Sequence, residues 1–105
     1  MENKDNSHYA VIFSAEMAAD TSGYAAMAQR MNELVQQQRG YIGRYHRMEG
    51  NREITISYWE NLAAVKAWKA HPEHRAAQEL GRSKWYAGYQ VQLVRIDRFY
   101  ESRMG

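Results

Sequence analysis

Residues 8–15, HYAVIFSA, are β-branched and aromatic, with apolar side chains on both alternating faces. A run that short cannot stand as a helix, and the pattern predicts a strand covered on both sides. Tyr24, Met27, Ala28, Met31, Leu34 and Val35 then recur at helical spacing until Gly40, with Asp20, Thr21 and Ser22 as candidate caps. Residues 41–48 (YIGRYHRM) and 53–59 (EITISYW) flank Glu49, Gly50, Asn51 and Arg52, whose Gly and Asn suit a tight turn between antiparallel strands. Leu62, Val65 and Trp68 step at helical spacing, and Pro72 after His71 reads as the first residue of a new helical turn, where proline's missing amide does no harm. The second helical region therefore breaks between Ala70 and Pro72 and runs on as EHRAAQEL to about Gly81. An aromatic cluster of Trp85, Tyr86 and Tyr89 leads into a last strand over residues 89–100.

Strand, helix, strand, strand, helix, strand is the βαββαβ order of the ferredoxin-like α+β fold, an antiparallel four-stranded sheet with helices on one face. Three strands are apolar on both faces: Ala10 and Ile12 against Val11 and Phe13, Ile54, Ile56 and Tyr58 against Trp59, and Val94 and Ile96 against Val91 and Leu93. An uncovered apolar face is a liability in a monomer. The expected solution is a homodimer whose sheets pack face to face, with a cavity between each sheet and its own helices. Residues 8–100 form one domain on this reading, with a disordered polar tail over 1–7 and a second tail over 101–105.

Composition narrows the functional classes. A chain of 105 residues, 45% hydrophobic and 25% charged, supports one globular core and excludes a second domain. Fourteen Lys and Arg against twelve Asp and Glu, interspersed along the chain, give +2 and no basic run for nucleic acid. No cysteine is present, which excludes disulfides, thiolate metal sites and a Cys nucleophile, and fits a reducing, cytoplasmic home. The polar start lacks a signal-peptide core, and no segment approaches the ~18 apolar residues of a membrane span, so no membrane partner is expected. Eight Tyr, three Trp and two Phe stand out against a single Pro, so a bound ligand is expected to meet rings. No nucleophile elbow, P-loop or dinucleotide glycine fingerprint occurs, which removes support for hydrolase and nucleotide-dependent activities.

The stretch ITISYWENLAAVKAWKAHPEHRAAQELGRSKWYAGYQVQLVRIDRFY, residues 54–100, carries a strand ending in Tyr-Trp, a helix with a second Trp, a His-Pro-Glu-His turn and a closing strand. With the order of elements over residues 9–100, it resembles the antibiotic biosynthesis monooxygenase family of dimeric α/β barrels. The resemblance implies either cofactor-free oxidation of quinols or phenols by dioxygen, or oxidative haem degradation. The haem-degrading branch implies a Trp on the second helix, an axial His ten residues later and an Asn near the end of the first strand. Trp68 matches, but Gln78 stands in the His position and residues 8–15 hold no Asn. Haem ligation would have to shift to His71 or His74. No cofactor is therefore expected, with haem binding as a minor alternative.

His71 and His74 form an H-x-x-H pair without a third ligand, so a metal site is not expected. The bland reading has His71 capping the turn and His74 solvated or hydrogen-bonded. The functional reading makes His74 the base, with His71 second, since histidine is poised near neutral pH. Trp68 and Trp85 are candidate stacking residues, and Gln78 or Tyr86 candidate hydrogen-bond partners for substrate. Trp59 is expected to pack in the core, as are Met27, Met31 and Leu34. His46, on a face with Ile42 and Arg44, is a candidate for the dimer interface or the pocket. A non-catalytic binding or stress-related dimer is the alternative function.

Overall fold

The computed structural model describes residues 8–97. The strands are β1 (His8–Met17), β2 (Tyr41–Glu49), β3 (Arg52–Trp59) and β4 (Tyr86–Ile96), and the helices α1 (Tyr24–Val35), α2 (Leu62–Ala70) and α3 (Pro72–Leu80), with a π-helical turn over Gly81–Trp85. The sheet order is β2-β3-β1-β4 with every pair antiparallel, the ferredoxin-like α+β arrangement. β1 lies between β3 and β4 and is paired along both edges. The expected tails, and residues 98–100 of the expected last strand, fall outside the described residues.

The hairpin closes on Glu49 opposite Arg52, with Gly50 at φ 60° in the first turn position, where glycine carries no steric penalty. The helical break falls where proline placed it: the His71 amide donates to the Trp68 carbonyl at the end of α2, and the His71 Nδ1 accepts from the Glu73 amide at the start of α3.

Four local expectations are corrected. Helix α1 is capped by the backbone of Gly23 at φ 86°, because the Asp20 Oδ1 is committed to a turn with the Ser22 amide. Ile42 is the extra residue of an irregularity between Tyr41 and Gly43, so His46 shares its face with Arg44 and Met48 instead of Ile42. The chain also makes a π-helical turn after α3 that no periodicity signalled, and β4 starts at Tyr86, which places the aromatic cluster on the strand itself.

Alternation puts Tyr9, Val11, Phe13, Ala15, Glu53, Thr55, Ser57 and Trp59 on the face that meets the helices. There Leu34 and Val35 from α1, and Ala64 and Trp68 from α2, enclose Trp59, which is fully buried, with Val11, Met31, Tyr41 and Val65 around them. The Trp59 Nε1 donates to the Ser57 Oγ at 2.9 Å, so its polar atom is satisfied in the core. Helix α3 packs on α1, α2 and the π-helical turn. The opposite face carries Ala10, Ile12, Ile54, Ile56 and Tyr58, with Tyr45 and Val94 exposed.

Candidate functional site

The α2–α3 elbow assembles the first cluster. Trp68 is buried and stacks on Trp59 with ring centroids 6.5 Å apart. The His74 ring lies flat on the other partner of that stack, 4.2 Å from Trp68 at 13°. Its Nδ1 is 3.0 Å from the Trp68 carbonyl oxygen, an atom that only accepts, which calls for the proton on Nδ1 and the basic lone pair on Nε2. No protein partner contacts Nε2 among the described residues. The Gln78 amide nitrogen, itself a donor, is 3.1 Å from the same Nδ1 and competes with the Trp68 carbonyl for the opposite tautomer. Burial, assisted by His71 and Lys69, pushes the His74 imidazole below its ordinary value, against the raising effect of the Trp68 carbonyl. His74 is thus a neutral imidazole at pH 7.

His71 lies 5.6 Å from the Trp68 ring, but its Nδ1 serves as the α3 cap. Outside the elbow, Lys66, Lys69, Ala70, Arg75, Gln78 and Arg82 line an open groove of about 440 Å³. Gln78 belongs to both the groove and the His74 contact.

Trp85 and Tyr86 stand in a second cluster, which no hydrogen bond or ring contact joins to His74 among the described residues. Trp85 is buried, and its Nε1 donates to the Ser22 carbonyl at 3.0 Å. Tyr24 crosses Trp85 and Tyr86 edge-on, with centroids 5.3 and 6.2 Å away. At the centre is Glu53, buried at 6% exposure on the helix-facing side of β3. The Tyr24 hydroxyl donates to its Oε1, the Thr55 hydroxyl donates to Oε2 at 3.1 Å, and the His46 Nε2 is 3.3 Å from Oε2. A carboxylate buried at that depth requires such partners. Burial first, and then the hydrogen bond to Glu53, raise the Tyr24 hydroxyl far above the usual phenol range. Burial and the Glu53 charge raise Tyr86 to about 12.

The sequence-predicted residues thus divide: His71, His74, Trp68 and Gln78 meet at the elbow, while Trp85 and Tyr86 line the Glu53 cluster. His46, a pocket candidate, joins the latter. Glu53 and Tyr24 were not singled out from sequence. The signal was present for Glu53, a lone acid in phase with Thr55, Ser57 and Trp59 on a covered face. Tyr24 reads as one more member of an apolar helical stripe.

Gln78 stands where the haem-degrading branch implies an axial His, and the Nδ1 atoms of His71 and His74 are taken by the Glu73 amide and the Trp68 carbonyl. Among the described residues no group of three or more His, Asp or Glu could hold a metal ion, and no helix is long and apolar enough to cross a membrane.

Comparison with known proteins agrees with this architecture. The chain is 42% identical over 92 residues to the uncharacterized protein YqjZ of Bacillus subtilis (strain 168), covering 87% of this chain and 81% of that one. Its fold matches protein SO0527 from Shewanella oneidensis at a TM-score of 0.76 and 11% identity, over 86% of this chain and 91% of the other. It also matches SnoaB, a cofactor-independent oxygenase from Streptomyces nogalater solved as the mutant N63A, at a TM-score of 0.70 and 13% identity, over 93% and 95% of the two chains. The family model for antibiotic biosynthesis monooxygenase matches residues 17–80. With more than half its length under that model and a relative at 42% identity, the chain belongs to the antibiotic biosynthesis monooxygenase family.

Proposed function

We propose that this protein oxidises a small aromatic phenol or quinol with dioxygen, without a cofactor, and acts as a homodimer joined through its open sheet faces. The observation that carries the chemistry is the His74 imidazole, held neutral by burial, fixed by its Nδ1 contact to the Trp68 carbonyl and laid flat on the Trp68 ring. A neutral imidazole with an unpartnered Nε2 accepts a phenolic proton near pH 7. Removing that proton makes the ring electron-rich enough to reduce dioxygen itself. For a simple quinol the balance is one quinol plus one dioxygen giving one quinone and one hydrogen peroxide. The protein would orient the ring, exclude water and stabilise the anion. Family membership and the fold shared with SnoaB support this reading. The cationic groove beside Gln78, with Lys66, Lys69 and Arg75, favours a negatively charged intermediate near the elbow. His74 is the base, His71 its neighbour at the turn, Trp68 the ring that positions His74, and Gln78 the hydrogen-bonding group beside it, whereas Trp85 and Tyr86 stand apart in the Glu53 cluster.

The test is oxygen uptake by metal- and haem-free protein with 1,4-naphthoquinol. The expected result is a rate above autoxidation, proportional to protein and about 10²-fold lower in His74→Gln. Uptake equal to autoxidation would favour a non-catalytic binding module instead.

A further inference from the structure

Lys66 and Lys69 stand three apart on α2, and Arg75 and Gln78 three apart on α3, so each pair shares a helix face. With Ala70, and with Arg82 from the π-helical turn, these residues line the open groove of about 440 Å³. Most of the lining residues are cations and none is an acid. Helix α2 carries no acid, and those of α3 are committed elsewhere: Glu73 pairs with Arg30 of α1 through two hydrogen bonds of 2.8 and 3.0 Å, and Glu79 holds Arg82 at 3.1 Å. Among the described residues Lys66, Lys69 and Arg75 have no ion-pair or hydrogen-bond partner. Three unpaired like charges around one hollow repel each other and favour an anion between them.

Between the charged heads the walls are largely carbon, from Ala70 and the stems of the long side chains. Carbon walls under cationic heads suit a flat ring that bears an acid: the ring lies against stems and guanidinium plane, and the Arg75 fork can take a carboxylate through two hydrogen bonds. The volume falls in the range of about 300–1,000 Å³ typical of small-ligand pockets. The groove also reaches the elbow, since Gln78 lines it and sets its amide nitrogen 3.1 Å from the His74 Nδ1. The Lys69 charge acts on the same imidazole, helping to hold it neutral.

We propose that the substrate is an aromatic acid, with its ionised carboxylate seated in this groove against Lys66, Lys69 and Arg75 and its hydroxyl directed to His74. This rests on the reading of the protein as an oxidase of phenols or quinols, and adds a permanent negative charge to the ring. A carboxylate is ionised at pH 7 while a phenol is not, so the groove holds the substrate before the hydroxyl proton leaves. The same cations then offset the second negative charge that forms on the ring when His74 takes that proton.

The experiment is calorimetric titration of the full chain at pH 7 with 2-naphthoate and with its neutral counterpart 2-naphthamide. The acid is expected to bind at least about tenfold more tightly than the amide. That preference should shrink as NaCl rises from about 20 to about 300 mM, because salt screens charges on an open surface. The double variant Lys69→Gln, Arg75→Gln is expected to lose the preference. The pair Lys69→Arg, Arg75→Lys keeps both charges and should retain most of it, and Lys84→Gln, a cation outside the groove, should leave it intact. All three side chains are exposed, so the variants should fold, which circular dichroism melts check. Absence of 2-naphthoate binding, equal affinity for acid and amide, or an undiminished preference in the Gln double variant would overturn the proposal. Oxygen uptake with 1,4-naphthoquinol and with 1,4-dihydroxy-2-naphthoate separates the two readings. Selective naphthoate binding without uptake of oxygen for either quinol sinks the oxidase function and leaves the groove as a site for aromatic acids; uptake without any preference for the acid does the reverse.

Discussion

His74 shows how one side chain acquires a task from its surroundings. The sequence supplies an H-x-x-H pair around proline, with His71 read as the turn cap and His74 as the first candidate base. The elbow adds the surroundings: His71 caps α3, and His74 is folded onto Trp68 and kept neutral. The sign of the resulting pH effect is fixed. The folded-state value lies below the unfolded value of about 6.5, so the unfolded chain takes up the proton first as pH falls, and stability present above about pH 6.5 is lost below it. Urea unfolding at pH 7.5 and 5.5 is expected to show a larger drop for the wild type than for His74→Gln; equal drops would mean that His74 is not held neutral. Glu53 teaches the opposite lesson, because its place on the covered face follows from alternation, while its partners Tyr24 and His46 come from other elements, α1 and the neighbouring strand β2.

Elements were legible where a local signal is enforced by local geometry. Gly50 closes the hairpin and Pro72 splits the helical region because both act through their own backbones. The π-helical turn was not legible, since Gly81–Trp85 carries no periodicity of its own and depends on the Tyr86 ring closing over Gly81. Such turns often accompany functional sites. Gly81→Ala is therefore expected to destabilise the fold by about 1–3 kcal/mol in urea unfolding, as overpacking does, even though alanine favours helix. It should also alter the near-ultraviolet circular dichroism of the aromatic cluster. An unchanged midpoint would show that the ring moves aside freely.

At the scale of the molecule, the βαββαβ order and the two-faced strands were readable because both depend on residue type alone, and the observed register places every apolar pair on the face expected of it. The division of the candidate site into an elbow cluster and a Glu53 cluster was not, since it depends on how the helices pack on one another and on the sheet. The open face, with Ile12, Ile54, Ile56 and Tyr58, is the expected dimer surface. Ile56→Glu is accordingly expected to convert a species of twice 12.3 kDa into one of 12.3 kDa by sedimentation; a wild type sedimenting as a monomer at micromolar concentration would refute the dimer. The most direct measurement of the proposed chemistry is kcat/KM for 1,4-naphthoquinol oxidation against pH, in the wild type and in His74→Gln. The expected result is a wild-type acid limb with its midpoint below about 6.5, missing from a variant whose residual rate is flat there. The same acid limb in both proteins, or no protein-dependent rate in either, would contradict it.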